Sequence, residues 1–168
     1  KEVLFVKVFA LCGESDSGKT SALKLLTAEL LKDKEAQLLY CFYRHSLSQI
    51  VDPDDPAWST PHGNVRNVTA VFLWHGKRIV VTTVGDAPSM IRCAVLGALK
   101  RAEINISDID GIVCACHPCM KIETLFSGVQ RADVVTIPKS STALCGTRKI
   151  SPADLMVCRE LLQQLKNL

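Results

Sequence analysis

No apolar run in this 168-residue chain approaches the roughly 18 residues that a membrane-spanning helix needs. Charge of one sign is not in excess either. Twenty basic residues stand against 17 acidic ones, a net charge of +3, which gives little electrostatic reason for nucleic acid or an anionic membrane as the main partner. Internal repeats, low-complexity tracts and linker-like stretches are absent, so collagen, coiled coil and disorder are excluded as descriptions of the whole chain. What is present is an ordinary globular composition, 48% hydrophobic and 22% charged. A chain of this length buries about 70% of the surface its unfolded form exposes. One domain over residues 1–168 is expected, folded without covalent staples.

There are eight cysteines: Cys12, Cys41, Cys93, Cys114, Cys116, Cys119, Cys145 and Cys158. Most lie inside apolar runs, where a free thiol packs as a small hydrophobe. This favours a reducing, cytoplasmic setting over a disulfide framework. The apolar start Val3 to Cys12 is interrupted by Lys7 and runs into a glycine-containing turn, so it reads as a strand and not as a signal-peptide core.

Hydrophobic patterning orders the rest. Val3–Cys12 is a buried strand, Lys19–Lys34 a helix with Ala22, Leu23, Leu26, Leu30 and Leu31 at helical spacing, and Gln37–Arg44 a second strand. Ser46–Asn67 carries Pro53, Pro56, Pro61 and Gly63 and reads as a long loop. Val68–Trp74 and Arg78–Val84, separated by His75-Gly76-Lys77, form a hairpin. Pro88–Ala102 is helical, Gly111–Cys116 a strand, Lys121–Arg131 a helix and Asp133–Pro138 a strand. A last helix starts at Pro152 with Ser151 as its cap. Strands alternating with helices, save for one hairpin, predict a three-layer α/β domain with a mainly parallel sheet.

The most informative stretch is Gly13-Glu14-Ser15-Asp16-Ser17-Gly18-Lys19-Thr20, a full match to G-x-x-x-x-G-K-[ST]. Glycines let successive backbone N–H groups converge on one anion. The following helix aims its positive end at the same point. Lys19 would reach the β- and γ-phosphate oxygens, the Thr20 hydroxyl would hold Mg²⁺, and the loop from Gly13 to Ser21 would line the phosphates. Chance produces the pattern in under roughly 1% of chains this long, and here it falls between an expected strand and an expected helix. On these residues the chain resembles the P-loop NTPase superfamily over Val3 to about Leu31.

That resemblance implies a second group on the metal side, usually an Asp at the end of a neighbouring apolar strand. Asp86 is the best-placed candidate. Residues Val68 to Asp86 resemble the strand pair leading into the second switch of small GTPases, whose strand ends in Asp-x-x-Gly. Here the run is Thr82-Thr83-Val84-Gly85: Gly85 matches and Thr82 replaces the Asp. Thr82 would hold a metal-bound water through its hydroxyl. Asp86 alternatively serves as a turn or N-cap residue ahead of Pro88. The guanine-reading Asn-Lys-x-Asp is absent. The strand Gly111–Cys116 runs into His117-Pro118-Cys119 instead, so ATP is preferred over GTP.

In the long loop, Asp52, Asp54, Asp55, Ser59, Thr60 and His62 offer groups for a switch or a substrate lid, or simply a solvated acidic face around Trp58. Arg44, Arg66, Arg92 and Arg148 are candidate arginine fingers. Cys114, Cys116, His117 and Cys119 raise a metal site, but zinc sites use two such pairs, and packing cysteines are the preferred reading. His45, His62 and His75 are isolated, with polar loop or turn roles. The expected function is Mg²⁺-dependent nucleoside triphosphate binding and hydrolysis. The alternatives are a small-molecule or nucleoside kinase, and a nucleotide-binding switch or scaffold with negligible turnover that reports to a protein partner.

Overall fold

The computed structural model describes residues 5–14, 19–42, 67–85, 87–118, 121–126, 131–139 and 152–168. Their order is β1 (Phe5–Cys12), α1 (Lys19–Lys32), β2 (Ala36–Phe42), β3 (Thr69–Trp74), β4 (Lys77–Thr82), α2 (Pro88–Arg101), β5 (Gly111–Cys116), β6 (Arg131–Pro138) and α3 (Pro152–Lys166). Single 3₁₀ turns at Ile106–Asp108 and Ile122–Thr124 flank β5. The strands form one six-stranded sheet in the order β2-β3-β4-β5-β1-β6. β1 runs parallel to β5 and β6, and β4 parallel to β5, while β3 is reversed against both β2 and β4.

Side-chain alternation along the strands sorts the core into two layers. Phe9 and Leu11 of β1, Phe72 and Trp74 of β3, and Val113 of β5 meet Leu23, Leu26 and Leu30 of α1 and Cys158, Leu161 and Leu165 of α3. Val6, Val8 and Ala10, with Val71, Val80 and Ile112, meet Ile91, Val95, Ala98 and Leu99 of α2 on the other face. Both faces are thus covered, as a sheet with parallel strands requires, and the expected helix–sheet–helix layering is present.

The hairpin between β3 and β4 turns on His75 and Gly76, whose φ values are +48° and +74°. Two left-handed residues in a two-residue loop match the twist of the flanking strands. Asp33, just beyond α1, ties that helix to the hairpin. It accepts the Glu35 N–H at 2.8 Å and the Trp74 indole N–H at 3.1 Å, and the first of these contacts leads in holding its carboxyl below the ordinary value.

Two expectations need correction. Where a helix is expected over Lys121–Arg131, the described residues hold the 3₁₀ turn Ile122–Thr124, and Arg131 already belongs to β6, paired with Phe5; residues 127–130 lie outside the described residues. Ile122, Leu125 and Phe126, spaced like a helix face, are instead the apolar contacts of one turn against the α2-side core. The cap of α2 is Ala87, so Asp86 is not the N-cap. Ser151, the long loop from Ser46 to Arg66, and Cys119 and Cys145 lie outside the described residues. No described helix is long and apolar enough to cross a membrane.

Candidate phosphate-binding site

The parallel strands β1, β4, β5 and β6 point the same way, so their C-terminal ends share one edge of the sheet. Cys12 is in register with Cys116 on one side and with Pro138 on the other. Three segments therefore leave the sheet side by side: Gly13 from β1, His117 from β5 and Lys139 from β6. Ligands of open α/β sheets bind outside such carboxyl ends. Backbone bonds fasten the segments together. The Gly13 N–H donates to the Cys116 carbonyl at 3.2 Å, and the Lys139 N–H to the Cys12 carbonyl at 2.7 Å.

Lys19 opens α1 and is buried. Its ammonium is turned back into the loop, donating to the Gly13 carbonyl and, at 3.1 Å, to the Glu14 carbonyl, with Nδ1 of His117 at 3.5 Å. No carboxylate pairs with it among the described residues. A buried cation with no carboxylate partner among the described residues is electrostatically suited to an anionic ligand. Thr20 and Ser21 follow on the first turn of α1, half-buried. Gly13, Glu14 and Lys19 are thus brought together. Ser15, Asp16, Ser17 and Gly18 lie outside the described residues, as does Asp86.

Thr82 does not fit the water-holding part expected of it. It is fully buried. Its hydroxyl is bonded to that of Thr69 at 2.9 Å and accepts the Val84 N–H at 3.2 Å. Thr83 is similarly committed, accepting the Val68 N–H at 2.8 Å and donating to Asn67 Oδ1 at 3.3 Å. These hydroxyls knit the end of β4 to the start of β3. In addition β5 lies between β4 and β1, which sets the end of β4 about 10 Å from β1 at ordinary strand spacing. Gly85 follows where a side chain would not fit: a Cβ there would stand 2.9 Å from both the Cβ and the carbonyl oxygen of Ala115.

The thiols of β5 are packing groups. Cys114 and Cys116 are buried in the α2-side core, and burial, with Cys116 adjacent, pushes Cys114 up to about 12. Cys12, Cys41, Cys93, Cys114 and Cys158 are free thiols. No metal-ligating group of three or more His, Cys, Asp or Glu residues occurs among the described residues. Arg92, one of the candidate fingers, donates to the Leu125 carbonyl at 3.1 Å. Arg44, Arg66 and Arg148 lie outside the described residues. His75 pairs with Glu35 at 2.9 Å beside the hairpin turn, at the other end of the strands from His117.

Sequence reasoning missed two features. The first is His117, whose proximity to Lys19 arises from the pairing of β5 beside β1, which no local pattern reveals. The second is a buried ion pair between Lys139, just past β6, and Asp154, in the first turn of α3, at 3.0 Å. Set against known proteins, the chain matches no family model, no curated protein and no solved structure.

Proposed function

We propose that this chain binds a Mg²⁺–nucleoside triphosphate at the loop Gly13–Ser21 and hydrolyses it slowly, with ATP preferred over GTP. The observation that carries the reading is the match of residues 13–20 to the phosphate-loop pattern together with the buried Lys19 ammonium at the end of β1, which no carboxylate pairs with among the described residues. The residues suit a triphosphate and its metal. The loop N–H groups cradle the phosphates, Lys19 exchanges its carbonyl partners for β- and γ-phosphate oxygens, and Thr20 supplies a hydroxyl to Mg²⁺. Asp86 is the proposed carboxylate on the metal side.

A second reading, a nucleotide-binding switch or scaffold with negligible turnover, is favoured by Thr82. Where the resemblance implies a carboxylate, this chain has a hydroxyl already engaged by Thr69 and Val84. Phosphate release from Mg-ATP and Mg-GTP, with no acceptor added and Lys19→Ala as the blank, separates the readings. Lys19-dependent release supports the hydrolase. Tight binding without release supports the switch. Release only when a phosphoryl acceptor is added would replace both with a kinase.

A further inference from the structure

We infer that His117 is the γ-phosphate contact of this site and the residue that makes it distinguish a triphosphate from a diphosphate. The inference rests on the phosphate-loop reading of residues 13–21 and adds to it a side chain from outside the motif.

Three observations lead there. First, His117 immediately follows β5, the strand paired with β1, and the bond from the Gly13 N–H to the Cys116 carbonyl fixes its backbone beside the first glycine of the loop. Second, Nδ1 lies 3.5 Å from the Lys19 ammonium. The loop backbone surrounds the inner phosphates, whereas the tip of the lysine extends towards the terminal one. A group beside that tip therefore stands at the far end of a bound triphosphate. Third, the imidazole is only half-buried, and its one ring-nitrogen contact among the described residues is to Lys19. The Thr82 and Thr83 hydroxyls at the end of β4, by contrast, are spent on Thr69 and on the Val68 N–H at the start of β3.

Without ligand, neutral Nδ1 can accept from the Lys19 ammonium, one of that ammonium's three contacts among the described residues. When a triphosphate draws Lys19 onto its β- and γ-oxygens, that nitrogen is released. With the proton on Nδ1, as tautomer or imidazolium, it donates to a γ-phosphate oxygen. A diphosphate offers Lys19 its inner oxygens and leaves His117 without an acceptor. Hydrogen bonds involving a charged partner are the stronger class, so loss of this one is expected to weaken triphosphate binding by about tenfold or more.

The test is equilibrium binding, with Mg²⁺, of the non-hydrolysable imido analogues of ATP and GTP and of ADP and GDP. The proteins are wild type, His117→Ala, His117→Asn and Lys19→Ala, with circular dichroism confirming that each is folded. His117→Ala is expected to lose about tenfold for the triphosphate analogue and under twofold for the diphosphate. His117→Asn, whose amide nitrogen can stand where Nδ1 does, recovers part of the loss and carries the test if the alanine variant does not fold. Equal losses for both nucleotides, or no loss, would overturn the assignment while a Lys19→Ala defect left the phosphate loop standing. Unchanged binding in Lys19→Ala would remove the phosphate loop itself, and His117's role with it.

Discussion

Lys24 shows at the scale of one residue how a buried charge leaves its mark on stability. It lies on α1 one turn beyond Thr20, and burial lowers its ammonium to about 8 from the ordinary 10.5. Between those values the unfolded chain binds more protons than the folded one, so this group makes stability rise with pH from about 8 to 10.5. The expected result is that Lys24→Met flattens that rise in denaturant titrations. At neutral pH it should stabilise the protein by on the order of 1 kcal/mol, a figure reduced for the water that still reaches a lysine tip. The opposite case is the ion pair of Lys139 and Asp154, with side chains 1% and 6% exposed. Asp154→Ala takes the carboxylate away from a buried cation and is expected to cost about 3–5 kcal/mol. Replacing both residues by apolar ones should cost much less, and urea unfolding of the two single variants and the double variant reads the difference.

At the scale of elements, packing at one glycine positions the end of β4. Gly85 abuts Ala115 of β5 so closely that an added methyl meets backbone. Gly85→Ala is expected to destabilise by about 1–3 kcal/mol, read as a lower thermal midpoint. The shift should exceed that of Gly97→Ala on α2, where a Cβ meets nothing within 4 Å. The strands β1, β4 and β5 were legible because each is a short apolar run with a break after it, and the hairpin because Gly76 supplies the turn. Residues 121–126 read as helix because Ile122, Leu125 and Phe126 have helical spacing over a single turn, too short for periodicity to separate a helix from a 3₁₀ corner. The pairing of β5 between β1 and β4 is a tertiary fact. It depends on which strand edges meet, and nothing within either strand encodes it, so the neighbourhood of His117 and Lys19 was not legible either.

At the scale of the whole molecule, the sheet brings the loop after β1, His117 after β5 and Lys139 after β6 to one edge, with α1 and α3 on one face and α2 on the other. The site is thus assembled from separate stretches of chain that are ordered only in the folded state. A ligand held there binds the native protein alone and raises its stability by mass action, about 2.7 kcal/mol at a hundredfold excess over Kd. The motif Gly13–Thr20 was readable in full because it is local. The commitment of Thr82 to Thr69 was not, since a threonine at a strand end looks the same in sequence whether its hydroxyl is free or spent. The most direct test of the account is calorimetric titration of Mg-ATP and Mg-GTP into the wild-type protein and Lys19→Ala. The prediction is one site per chain in the wild type, with binding lost or weakened at least a hundredfold (roughly 3 kcal/mol) in a variant that stays folded. Equal affinity in the two proteins, or no binding by the wild type, would contradict it.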